Sequence, residues 1–136
     1  MKMIPAKGKN DIPSGKRISR VYVFSDGNKH LYVGRSKRIR DRYGDHVLPG
    51  SGINDAPFAV SWARKQLGIP TAYSGQYTRN NLRQNKKFLA KFVEGKKYIR
   101  SLSFRYIEES DPLRKMLLEC YGAIALKAPY NRFETS

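Results

Sequence analysis

The sequence predicts an α+β fold, a small antiparallel sheet of three strands flanked by helices, and three observations carry that reading. Two β-rich runs, Val21-Tyr22-Val23-Phe24 and Leu31-Tyr32-Val33, are split by Ser25-Asp26-Gly27-Asn28. Gly and Asn tolerate the positive φ that hairpin turns demand. Apolar residues at helical spacing follow the hairpin. A third run, residues 98–107, mixes aromatic and aliphatic residues with partial alternation and reads as a strand.

Residues 1–17 mix Lys, Gly, Pro and Asn without periodicity, which predicts a flexible basic arm that could still touch phosphates. After the hairpin, Ser36 is a candidate N-cap for a helix over residues 37–46. Asp55 with Ala56 and Pro57 starts a second helix, which places Phe58, Trp62 and Leu67 toward the core and stops at Gly68 and Pro70. A third helix opens at Thr78 or Asn80, carries Leu82, Leu89, Phe92 and Val93, and stops at Gly95. Asp111-Pro112 caps a last helix whose Leu113, Met116, Leu117, Cys120 and Ile124 form a core-facing stripe. The order is β-β-α-(α)-α-β-α, with residues 18–136 as one domain and no internal repeat.

The chain has 136 residues, 40% of them apolar, enough for a single core. Its 27 Lys and Arg against 11 Asp and Glu leave a formal charge of +16, which self-repels and calls for a polyanion. Nucleic acid fits that demand best. No long apolar span and no strongly amphipathic basic helix argues for a membrane partner. The lysines of the first ten residues precede no apolar run, so they do not read as a secretory signal. The lone Cys120 makes no internal disulfide, and both features point to a reducing, cytoplasmic setting.

From residue 56 to residue 93 there is no acid, while Arg64, Lys65, Arg79, Arg83, Lys86, Lys87 and Lys91 supply seven positive charges. Interleaved Tyr73, Tyr77, Asn80 and Asn81 are side chains able to stack on bases or reach their edges. This stretch is the candidate nucleic-acid surface, with a solvated basic face as its plain alternative. Glu94-Gly95-Lys96 holds an acid-x-lysine pair used by another nuclease design, but it falls at a predicted helix end and lacks an upstream aspartate strand. One cysteine excludes a cysteine-ligated zinc site.

Arg20-Val21-Tyr22, then Tyr32-Val33-Gly34, then Arg42 and His46, then Glu119 within Leu117-Leu118-Glu119-Cys120-Tyr121, then Asn131 after Pro129-Tyr130 follow one another in order. With these residues the chain resembles the GIY-YIG nuclease superfamily. The match is dense over residues 20–46 and 112–131. In the first motif Arg20 stands for glycine and Val21 for isoleucine, which puts the local turn in question and leaves the tyrosine in place. The resemblance implies that family's compact core, with one helix fewer than predicted here, and so an insertion over residues 50–77.

The same resemblance implies a metal-dependent endonuclease that hydrolyses DNA phosphodiesters, with one Mg2+ or Mn2+ per active site. Tyr22 and Tyr32 would hold or deprotonate the attacking water, and the choice of base between them stays open. A phenol with a usual pKa of about 10 serves as a base only where cations or a metal stabilise its anion. Arg35, Lys37, Arg40 and Arg42 lie close in sequence, Arg35 at a position where relatives often carry a basic residue. Arg42 would clamp the scissile phosphate through two hydrogen bonds, and His46 would relay a proton or bind phosphate. Glu119, set among apolar neighbours, would hold the metal; an ion pair with Arg114 is the structural alternative. Asn131 would position a site residue or bond the backbone. Duplex DNA is the implied substrate, and a homodimer would explain double-strand cleavage. A non-catalytic basic nucleic-acid-binding protein and a nuclease for branched or RNA substrates are the alternatives.

Overall fold

Gly27, with φ 58°, turns the chain between β2 (Arg20–Asp26) and β3 (Lys29–Ser36), as the hairpin chemistry predicted. The computed structural model describes residues 3–70, 75–108, 111, 114, 116 and 128–130. Among these are two further strands, β1 (Ile4–Ala6) and β4 (Ser103–Glu108), and four helices, α1 (Ile39–Val47), α2 (Pro57–Leu67), α3 (Arg79–Leu82) and α4 (Lys86–Ser101). The fold is α+β, with a four-stranded antiparallel sheet in the order β1-β4-β2-β3. Among the described residues no helix is long and apolar enough to cross a membrane.

The chain divides into two compact units, residues 1–44 with 102–136 and residues 45–101, a division wider than the predicted insertion over 50–77. In the first unit, strand alternation sorts the sheet into two faces. Val21, Val23 and Val33 occupy one face, with Met3, Ile107 and Ala128 packed against them. Tyr22, Phe24, Tyr32 and Gly34 share the other face with Phe104 and Tyr106 across β4. Tyr43 from α1 adds a stacked ring to Phe24 at 6.0 Å and an edge contact to Phe104 at 5.0 Å. Aromatic pairs prefer such offset and edge geometries, and truncating a buried ring of this kind costs about 3–5 kcal/mol.

The predicted flexible arm is corrected by the structure. Ile4 to Ala6 pair with Tyr106 to Phe104 as the edge strand, and Ile12 is fully buried. A three-residue strand is too short to show the alternation that marks a strand, and Pro5 within it argues against one, so this edge leaves little trace in sequence. Arg20 is also resolved: it begins β2 rather than a turn, and its guanidinium bonds Glu108 Oε1 at 2.9 Å across the β2–β4 register. Ser36 ends β3, and α1 begins at Ile39, two residues later than predicted, so Ser36 is not its N-cap; its Oγ accepts the Arg38 amide at 2.9 Å in the turn that leads into the helix. The last predicted helix lies almost wholly outside the described residues, although Asp111 Oδ1 accepts the Arg114 amide at 3.4 Å as a cap would.

In the second unit, Pro57 opens α2 and Gly68 closes it with φ 66°, as predicted. The next helices differ. Thr78 caps only the four-residue α3, and α4 then runs straight through Gly95 to Ser101. Gly95 is not a stop. A Cβ there would stand 2.7 Å from Trp62 Cε3, so the missing side chain is what lets the indole pack on α4. Residues 98–101 accordingly end a helix, and the strand predicted over 98–107 starts at Ser103.

Lys96 is 2% exposed. Its Nζ donates to the carbonyls of Leu48 at 2.8 Å, Pro49 at 3.1 Å and Ser51 at 2.6 Å, and lies 4.8 Å from the centre of the Phe92 ring. The ammonium therefore gathers a loop's carbonyls, a structural role that removes it from the acid-x-lysine motif. Burial holds its pKa below the usual lysine value of 10.5.

Gly95→Ala should lower stability by about 1–3 kcal/mol in urea unfolding followed by Trp62 fluorescence, because overpacking outweighs the roughly 1 kcal/mol gain in helix propensity. A gain in stability would refute the contact. For Lys96, the unfolded chain holds the proton more tightly than the folded one, so this group's contribution to stability rises as pH climbs toward 10.5. The stability difference between wild type and Lys96→Met should thus grow in favour of wild type from pH 7 to pH 10. A flat difference would remove the burial argument.

Candidate active site and basic surface

Hairpin register brings the two tyrosines together. Tyr22 pairs with Gly34, and Phe24 with Tyr32, so both phenol rings lie on the same sheet face. Their centroids are 6.4 Å apart at an interplanar angle of 30°. Phe104 stacks on Tyr22 from the other side at 5.4 Å. A Cβ at Gly34 would collide with Cζ and Oη of Tyr22, so this glycine makes room for the phenol to lie across β3. The two residues named by the motifs are physically one contact.

Exposure separates the tyrosines. Tyr22 is 1% exposed, packed among rings, whereas Tyr32 is half-buried and reaches solvent. Arg35 pairs with Val21 and so belongs to the valine face, opposite the tyrosines, which removes it from direct support of Tyr32. Arg42 sits half-buried on α1, one residue before Tyr43, its amide bonded to the Arg38 carbonyl at 2.9 Å. α1 thus carries Arg42 next in sequence to Tyr43, whose ring packs on the sheet.

His46, expected at the phosphate, is 0% exposed and meets Phe58 edge-on at 6.4 Å. In this arrangement its imidazole does not face solvent. Spacing placed it on α1, one turn after Arg42 and on the same side of the helix; the packing around Phe58, which spacing does not reveal, buries it. Glu119 and Asn131, the expected metal ligand and positioning residue, lie outside the described residues. Among the described residues no three His, Cys, Asp or Glu side chains group as metal ligands.

Tyr130 adds a contact that the motif reading did not use. Its amide donates to the Leu31 carbonyl at 3.2 Å, which ties the segment before Asn131 to β3 beside Tyr32. Burial pushes its phenol above the usual tyrosine range, so it stays protonated.

The basic stretch of the second unit divides in two. Lys65, Arg79, Arg83, Lys86 and Lys87 are exposed, as are Asn80 and Asn81. Lys91 is half-buried and pairs with Glu94 at 3.1 Å, and Tyr77 is half-buried. Asn81 spends its side-chain amide on the Gly75 carbonyl at 2.6 Å. Tyr73 lies outside the described residues. Arg64 is a correction: it is 5% exposed, and its guanidinium donates to the carbonyls of Pro70 at 2.7 Å and Tyr77 at 3.1 Å. It pins the loop after α2 instead of meeting phosphate. A planar, always charged fork suits that task, and its sequence signature is the same as that of a surface arginine.

No protein-family model, curated protein or solved structure matches the chain.

Arg64→Gln should lower the melting temperature by several degrees, through loss of the buried guanidinium's bonds to the Pro70 and Tyr77 carbonyls, and leave the salt dependence of nucleic-acid binding as in wild type. A reduced salt slope without loss of stability would return Arg64 to the binding surface.

Proposed function

We propose that the protein is a metal-dependent endonuclease acting on DNA phosphodiesters, built on a GIY-YIG-like core. The observation that carries this reading is the stacked Tyr22–Tyr32 pair over Gly34, followed directly by the helix bearing Arg42. Hydrolysis requires an oriented water, neutralisation of charge on the pentavalent transition state and help for the leaving oxygen. Tyr32 meets solvent and is therefore the phenol assigned to the water in this reading. Tyr22 is a positioning residue whose ring fixes that of Tyr32. Arg42 keeps its proton at every working pH and donates two hydrogen bonds to phosphate oxygens. His46 is assigned to holding α1, given its burial against Phe58.

Glu119 is the residue that would hold Mg2+ or Mn2+, and the ion, when bound, supplies Lewis-acid stabilisation of the phosphate. The exposed cations of the second unit support a duplex DNA partner, because phosphate contacts dominate affinity for nucleic acid. A cytoplasmic location and a homodimer that cuts both strands belong to the same proposal. The burial of Tyr22 and His46 favours one second reading, a basic nucleic-acid-binding protein without turnover.

Incubation of wild type and variants with plasmid and short duplexes, in magnesium, manganese or chelator, separates the two. Wild type should cleave only with metal, Glu119→Ala should not cleave, and Tyr32→Phe and Arg42→Lys should each lose about 10²–10³ in rate. His46→Gln should lose thermal stability more than rate. Tight, salt-sensitive binding without cleavage under every condition would establish the binding reading instead.

A further inference from the structure

The first unit contains a concentration of cations of its own, in sequence outside the acid-free stretch of residues 56–93. A cleft of about 220 Å3 opens between residues 13–17 and residues 37–41 at the start of α1. Lys16, Arg17, Lys37 and Arg38 line it with exposed side chains, and Asp41 is the one acid among its lining residues. The walls are built. Arg40 Nε donates to the Ile12 carbonyl at 2.7 Å, and fully buried Ile12 anchors the segment that follows it. On the other wall Ser36 Oγ holds the Arg38 amide, which fixes the entry to the helix.

Five cationic residues from two separate segments, Arg40 included, line one concavity against the single acid Asp41, and a cleft so dominated by one sign of charge concentrates the field on an anion. Amides of the first turn of α1 add their partial positive charge, since no intrahelical carbonyl can serve them. The volume falls below the roughly 300–1,000 Å3 of small-molecule pockets, and the lining is charged instead of aromatic. A phosphate on a continuous strand fits better than an isolated organic ligand.

We propose that this cleft binds backbone phosphates of duplex DNA, as a subsite that seats the strand flanking the scissile bond. The inference rests on the nuclease reading for its substrate. Its chemistry is sequence-independent: Lys16, Arg17, Lys37 and Arg38 neutralise phosphates and set the register of the duplex, without reading bases. The segment at residues 13–17, predicted as part of a loose arm, becomes one jaw of the site.

Binding to a labelled duplex, measured by fluorescence anisotropy in chelator over a series of salt concentrations, tests this without any requirement for cleavage. Two double variants, Lys16→Gln with Arg17→Gln and Lys37→Gln with Arg38→Gln, each remove two cleft charges; Lys7→Gln with Lys29→Gln removes two exposed charges outside it. Each cleft double should reduce the slope of log K against log salt by about 0.9 per lost contact, equally for unrelated sequences, with the control close to wild type. Equal slopes in all three doubles would overturn the cleft, because net charge alone would then explain the affinity. Displacement of the duplex by millimolar inorganic phosphate at matched ionic strength would overturn it too, in favour of a free-anion pocket. The altered side chains are exposed and lie on separate segments, so a folding defect in one double leaves the other decisive. Cleavage in magnesium with unchanged cleft slopes rejects the subsite and keeps the nuclease, whereas altered slopes without cleavage keep the subsite and reject the nuclease.

Discussion

The contact of Tyr22 with Gly34 is the constraint on which the first unit depends. A phenol can lie flat across the neighbouring strand only where that strand has no side chain, so this pairing holds the Arg20-to-Phe24 part of β2 in register with β3, before the shift between Phe24 and Ser25. A slip by one residue would send Tyr22 to the valine face and Val23 into the ring layer. With Tyr22 in place, Phe24 and Phe104 complete the layer, and Tyr43 lays α1 upon it. The packing that stabilises the sheet is therefore also what presents Tyr32 and directs the helix carrying Arg42. Stability and the proposed chemistry share the same atoms.

The second unit solves a different problem, that of holding its loops in place. Buried cations do this work. Lys96 collects carbonyls of Leu48, Pro49 and Ser51, and Arg64 collects those of Pro70 and Tyr77. Each cation is itself desolvated, which is tolerable because several oriented dipoles replace its hydration. In a chain of formal charge +16 this use of lysine and arginine is hard to separate from phosphate binding by composition. Arg64 and Lys65 are neighbours in sequence, yet one is buried in a carbonyl cage and the other is exposed.

Local chemistry made much of the architecture legible. The turn residues around Gly27 announced the hairpin, Thr78 announced a helix start, and Gly68 announced a helix end, because each acts through its own backbone or the next few amides. Gly95 shows where such signals mislead. The absence of a side chain is the same in a helix stop and in a close helix–helix contact, and only Trp62 distinguishes them. For the same reason β1 was missed: three residues gain their strand conformation from the edge of β4, a partner about a hundred residues away in the chain.

For the candidate site, the sequence by itself determined which groups are available and their order: two tyrosines on a hairpin, an arginine and a histidine ten and fourteen residues after the second tyrosine, and a strongly basic surface. Those are properties of residue type and of spacing along a regular element. Tertiary structure decided which of them face solvent. It buried Tyr22 and His46, left Tyr32 and Arg42 partly open, turned Arg35 to the opposite face, enclosed Arg64, and folded Lys16 and Arg17 against Lys37 and Arg38. Exposure depends on neighbours that are remote in the chain, whereas spacing depends only on the element that carries the residue.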